Sequence, residues 1–240
     1  MSFQLPLVLG HRGARAVRTE NTIEAFDYAC QNGIRWVEGD IVLTKDGEAV
    51  VFHDDTLDRM AENATGRIDG YTLAELESVT LKGGGKIPTF AAVLDVLKKY
   101  DACMNVEIKP SRPELGPATA EKAWDVVRTA GLDDPDRIYF SSFTWNSLDR
   151  LKEIAPEMRR GVLVEEESGD WRAAAERVGA YSINYDQDLL TPELIIEIRA
   201  RYRLMIWTVN DPARAKAFRE QGADSFFCDD PVAMAKALNG

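Results

Sequence analysis

The chain has 240 residues, 45% hydrophobic and 29% charged, with 40 acidic against 29 basic residues and a formal net charge of −11. That length and composition suit a soluble globular protein of one large α/β domain or two small ones. The acidic excess repels nucleic-acid phosphates and anionic lipid headgroups, so neither is expected as a partner, and no segment approaches the roughly 20 apolar residues of a membrane span. Met1-Ser2-Phe3-Gln4 lacks the basic region of a secretion leader. Cys30, Cys103 and Cys228 are odd in number, far apart and set among apolar neighbours, which reads as buried free thiols in a reducing, cytoplasmic location.

Short runs rich in Val, Ile, Leu and aromatics alternate with longer amphipathic stretches. In chain order they give a strand at 5–10, a helix at 22–32, strands at 35–43 and 48–53, and a helix at 89–100. Then come strand 102–109, helix 115–130, strand 137–142, helix 144–155, strand 159–165 and helix 170–178. Strand 180–185, helix 191–202, strand 203–209, helix 211–221, strand 224–228 and helix 231–238 complete the series. Helix starts are signalled by Thr191-Pro192, Asp211-Pro212 and Asp230-Pro231, and stops by Gly33, Gly131 and Gly222.

Taking 35–43 and 48–53 as one unit leaves eight β→α units, and such alternation means parallel strands. The first strand is followed by His11-Arg12-Gly13-Ala14 instead of a dinucleotide-type glycine fingerprint, so closure into a (β/α)8 TIM barrel is favoured over an open doubly wound sheet. A single domain spanning 1–240 is expected. Residues 54–88 break the rhythm, with only a short helix near 72–78, and are expected to form a small insertion capping the barrel mouth.

The rare residues lie at the strand ends. The chain has only two histidines, His11 and His53, and each closes an apolar run. Residues two apart in a strand share a face, so Glu38 pairs with Asp40 and Glu107 with Lys109. In a (β/α)8 barrel the C-terminal strand ends carry the chemistry. Three converging carboxylates repel strongly at low dielectric, and a divalent cation resolves this; oxygen ligation selects Mg2+ or Ca2+ over zinc. Taken singly, each residue has a plain structural use: a solvated acid, a backbone-satisfied imidazole, a salt-bridged Arg12. Together they describe phosphoryl chemistry, with a cation, a guanidinium and an ammonium to hold phosphate and imidazoles to move protons.

The sequence resembles the glycerophosphodiester phosphodiesterases, a family similar in fold and site to phosphatidylinositol-specific phospholipases C. The resemblance rests on His11-Arg12-Gly13, Glu20-Asn21-Thr22, Glu38-Gly39-Asp40, Thr44-Lys45-Asp46-Gly47, His53-Asp54 and Leu57-Asp58-Arg59. It continues through Asn105-Val106-Glu107-Ile108-Lys109, Ser141-Ser142-Phe143, Trp207-Thr208-Val209-Asn210 and Asp229-Asp230-Pro231. It implies that Glu38, Asp40 and Glu107 hold one divalent cation, Mg2+ or Ca2+, that His11 and His53 are the acid/base pair, and that Arg12 and Lys109 contact phosphate. Phe143 and Trp207 are candidate walls for the glycerol or the leaving alcohol. The implied substrate is a small-molecule glycerophosphodiester, cleaved to sn-glycerol 3-phosphate and an alcohol; a homodimer is left open. One departure is Thr19, where the family usually has proline. Competing expectations are lysophospholipid or sphingomyelin-type substrates on the same site, a non-catalytic barrel binding phosphorylated ligands, and a sugar-phosphate isomerase.

Overall fold

A computed structural model describes residues 5–166 and 168–239. Met1–Gln4, read above as lacking a leader, lie outside the described residues. The strands are β1 (Val8–Gly10), β2 (Trp36–Leu43), β3 (Ala49–Val51), β4 (Cys103–Ile108), β5 (Ile138–Ser142), β6 (Arg159–Val164), β7 (Ser182–Asp186), β8 (Arg203–Trp207) and β9 (Ser225–Cys228). The helices are α1 (Ile23–Gln31), α2 (Leu73–Leu76), α3 (Phe90–Tyr100), α4 (Gly116–Thr129), α5 (Trp145–Ile154), α6 (Trp171–Val178), α7 (Pro192–Arg199), α8 (Pro212–Glu220) and α9 (Pro231–Asn239). β1, β2 and β4 to β9 form a closed parallel barrel, with β1 paired to β9 through Gly10↔Cys228 and to β2 through Gly10↔Val37. The protein is therefore a TIM barrel, with its helices outside.

Local sequence accounts for these elements. The hydroxyls of Thr22, Thr89 and Thr191 and the carboxylates of Asp170 and Asp211 accept hydrogen bonds from first-turn amides, ending the preceding loops cleanly. Outward strand residues such as Val37, Val106, Phe140, Ile183 and Phe226 pack under the helices. Inward residues Leu9, Trp36, Cys103, Tyr139, Met205 and Phe227 fill the barrel below the site. Tyr139 crosses this interior, its hydroxyl bonded to Ser182 and, at 3.2 Å, to Asn184 Oδ1. Gly161 on β6 makes the room: a Cβ there would stand 1.5 Å from the Tyr139 oxygen. All three cysteines are buried and free, and burial pushes the Cys30 and Cys228 thiols up to about 12.

The segment 48–53, grouped above with 35–43 in one unit, adds a strand whose direction the alternation left open. β3 runs antiparallel to β2, with Ile41 opposite Val51, and lies outside the closed barrel. The turn Thr44–Glu48, with Gly47 at φ 78, folds the chain straight back, so no helical crossover is needed. Beyond it, residues 54–88 build a small core of their own from Leu57, Ile68, Leu76, Val79, Leu81 and Ile87 against Val42, Val50 and Phe52. Val42 shares a β2 face with Glu38 and Asp40, so the insertion's core packs against the end of the strand that carries those two carboxylates. Among the described residues no helix is long and apolar enough to cross a membrane.

Candidate active site

The turn after β1 is tight because two glycines allow it. A Cβ on Gly10 would lie 2.1 Å from the Gly13 carbonyl oxygen, and one on Gly13, at φ +84, would lie 2.7 Å from the Ala25 backbone. Between them, Arg12 adopts a left-handed φ of 49. The His11 amide extends the β1–β9 pairing by donating to the Cys228 carbonyl at 2.9 Å. Its ring Nδ1 lies 2.6 Å from Asp229 Oδ1, and Asn210 Nδ2 donates to the other Asp229 oxygen at 2.8 Å. Burial alone would raise the Asp229 carboxyl, but the hydrogen bond and charge of His11 hold it below its usual value. An ionised Asp229 accepts a hydrogen bond from Nδ1–H and leaves Nε2 as the free ring nitrogen.

His53 reaches the same site by another route. It follows the antiparallel β3 instead of ending a barrel strand, which corrects the expectation that all the site residues cap barrel strands. The Phe52 amide donates to the Asp40 carbonyl at 2.9 Å, bringing the returning chain down beside β2. His53 Nδ1 lies 2.7 Å from Asp54 Oδ1, and Asp54 also accepts from Arg59 Nε at 2.6 Å and Nη2 at 2.9 Å. Burial, the largest influence on both imidazoles, lowers their pKa values below the ordinary 6.5.

Parallel pairing of β2 with β4 sets Asp40 beside Glu107 and Glu38 beside Asn105. Glu38, Asp40 and Glu107 are buried, and each offers a carboxylate oxygen within 4.8 Å of the others. Burial first, then the charges of Asp40 and Glu107, raise Glu38 well above the usual carboxylate range. Burial likewise raises Glu107. Asp40 goes the other way: despite burial, the charges of Arg12, His53 and Lys109 lower it. Glu38 Oε1 and Glu107 Oε1 are buried with no hydrogen-bond partner among the described residues, as are side-chain atoms of Asn105 and Ser141 at the same level. Orphaned carboxylate oxygens held this close are what a hard divalent cation satisfies.

The cations stand around this cluster. The Arg12 amide donates to Glu38 Oε2 at 2.9 Å, its Nη1 to Glu20 Oε1 at 2.8 Å, and its Nε lies 3.5 Å from Asp40. Asn21 Nδ2 donates to Asp40 Oδ2 at 2.8 Å. Lys109 Nζ lies 3.6 Å from Glu107 Oε1 and 5.5 Å from the Phe143 ring centre. Phe143 and Trp207 meet edge to face at 5.4 Å.

His11, Arg12, Glu38, His53, Glu107, Lys109, Phe143 and Trp207 all line one cavity of about 380 Å³, together with Arg15, Leu163, Glu165, Thr208 and Phe227. Asp40 is the nominated residue absent from that lining; it lies behind, only 1% exposed. None of the residues lining the cavity comes from 54–88. Sequence reasoning assigned no role to Asp229, Glu20 or Asn21. Their signal was present in the resemblance, but the contacts run across the barrel closure or through the β1–α1 loop.

A family model described as the Glycerophosphoryl diester phosphodiesterase family matches residues 11–233. The chain is 32% identical over 236 residues, 95% of this chain and 96% of the relative, to a glycerophosphodiester phosphodiesterase of Caldanaerobacter subterraneus subsp. tengcongensis. Its structure is similar to that of an Oleispira antarctica phosphodiesterase in complex with the product sn-glycerol-3-phosphate, with a TM-score of 0.91, 31% identity and 98% of both chains covered. A glycerophosphodiester phosphodiesterase of Thermotoga maritima matches at a TM-score of 0.78 and 30% identity, covering 98% of this chain and 99% of that one. On sequence and structure together, the chain belongs to the glycerophosphoryl diester phosphodiesterase family and is a phosphodiesterase.

Proposed function

We propose that the protein hydrolyses glycerophosphodiesters to sn-glycerol 3-phosphate and an alcohol, with one divalent cation, Mg2+ or Ca2+, held by Glu38, Asp40 and Glu107. The observation that carries this is the sharing of one cavity by two aspartate-held imidazoles and two of the three clustered carboxylates, with the third directly behind. When bound, the cation supplies Lewis-acid charge to a phosphoryl oxygen and neutralises the cluster. Arg12 offers the planar fork that suits two phosphate oxygens, and Lys109 a point charge beside them.

Breaking a phosphodiester needs a base for the nucleophile and an acid for the departing alkoxide. His11 and His53 take these roles through Nε2, each oriented by an aspartate at Nδ1. The pair serves equally for attack by water or by the glycerol 2-hydroxyl. Phe143 and Trp207 form the apolar wall for the glycerol or the alcohol. The insertion 54–88 walls the mouth within a single domain. The free buried thiols support a cytoplasmic location.

The test is a panel of glycerophosphodiesters with Mg2+ or Ca2+, with both products identified. Release of sn-glycerol 3-phosphate and the free alcohol is expected. Release of glycerol and a phosphorylated alcohol, or no cleavage of any diester, would overturn the proposal.

A further inference from the structure

Arg59 uses every nitrogen of its guanidinium on two carboxylates. Nε and Nη2 donate to the two Asp54 oxygens at 2.6 and 2.9 Å, and Nη2 and Nη1 donate to the two Glu20 oxygens at 2.6 and 3.2 Å. Asp54 is the partner of His53, and Glu20 is the partner of Arg12. An unbroken chain thus runs His53–Asp54–Arg59–Glu20–Arg12. It joins one of the two imidazoles to the guanidinium beside the carboxylate cluster.

We propose that Arg59 is a positioning residue of the active site, one guanidinium that sets both the imidazole plane of His53 and the reach of Arg12. This rests on the hydrolysis proposed above. Arg59 touches neither the cavity nor any reacting atom, so it acts through its two carboxylates. Without it, Asp54 keeps only the His53 contact and is free to turn about its side-chain torsion, taking the ring with it. Glu20 loses the nearest of its three cationic partners, leaving Arg12 at 2.8 Å and the looser Arg15 at 3.7 Å, and its charge then draws the Arg12 guanidinium away from phosphate. The first change acts on proton transfer and the second on substrate holding, so kcat and KM move together.

The insertion exists on this view to present Arg59. The carbonyls of Asp58 and Arg59 accept from Lys82 Nζ at 3.0 and 3.1 Å, and Leu57 is anchored in the insertion's core. The Arg59 side chain is 46% exposed while its partners Glu20 and Asp54 are 9% and 20% exposed, so the melting temperature is measured beside the kinetics to separate positioning from stabilisation.

The experiment compares wild type, Arg59→Ala, Arg59→Lys and Arg67→Ala. Arg67 is the control: it belongs to the same insertion but bonds Asp69 and the Ser111 carbonyl. For Arg59→Ala the expected loss in kcat/KM is about tenfold or more, the scale of outer partners that orient a site. It should comprise a lower kcat and a higher KM, with the melting temperature nearly unchanged. Added guanidinium ion should recover part of the loss. Lysine should not restore it, since an ammonium cannot span four oxygens, and Arg67→Ala should match wild type. Independently of turnover, the downfield proton signal of His53 Nδ1–H should broaden in Arg59→Ala while that of His11 stays sharp. The proposal is overturned by wild-type kinetics with an unchanged His53 signal, by an equal loss in Arg67→Ala, or by a loss that guanidinium does not relieve. Failure of wild type to cleave any diester would count against the proposed hydrolysis, and the His53 signal would still decide the role of Arg59.

Discussion

Burial makes the ionised form of Glu38 and Glu107 costly, for Glu107 despite its Lys109 neighbour, whereas Asp40 is held ionised by the charges of Arg12, His53 and Lys109. The burden therefore falls on the residues with orphaned oxygens. Glu38→Gln removes one charge from the cluster and leaves the Arg12 amide an acceptor. It should raise the stability of the metal-free protein by about 0.5–2 kcal/mol, the usual scale for relieving a strained functional site, while reducing metal-supported turnover to background. Thermal unfolding in chelator and an activity assay measure the two halves; a destabilised metal-free variant would sink the idea. The histidines give a second prediction. Burial lowers both pKa values below 6.5, so the neutral base persists to lower pH, and a nearby cation pushes in the same direction. The acid limb of kcat/KM against pH should therefore be centred below 6.5. A limb centred above that value would mean that burial does not govern the pKa of the base.

At the scale of elements, most of the barrel was legible because its strands are nearly continuous apolar runs separated by capped helices. The direction of β3 was not, since alternation counts strands without orienting them. Asp46-Gly47 between two apolar runs was the available sign of a hairpin. That direction decides how His53 arrives beside Asp40. The carboxylates were legible because spacing by two fixes a strand face, and neighbouring parallel strands align them. Asp229 had no assigned role because its contact with His11 spans 218 residues and exists only once β9 closes on β1. Tyr139 and Gly161 show the same limit: neither residue alone announces that one fills the space the other leaves. Gly161→Ala should cost about 1–3 kcal/mol, the usual penalty of overpacking. In a chain of this size that lowers the melting temperature by about 2–4 °C per kcal/mol. An unchanged melting temperature would show that the Tyr139 hydroxyl moves aside freely.

For the whole molecule, the net charge of −11 disfavours an anionic substrate at long range, so Arg12, Lys109 and Arg15 must make the cavity locally receptive. A cation at the carboxylate cluster would add to that and couple binding to stability. The folded protein presents the three carboxylates together and the unfolded chain does not, so metal at a hundred times its Kd should add about 2.7 kcal/mol. The most direct test of the account is glycerophosphodiester turnover by metal-stripped protein, followed by release of sn-glycerol 3-phosphate before and after Mg2+ or Ca2+ is restored. The account predicts no turnover in chelator, recovery with the cation, and no recovery in Glu107→Gln. Undiminished turnover in chelator would contradict it.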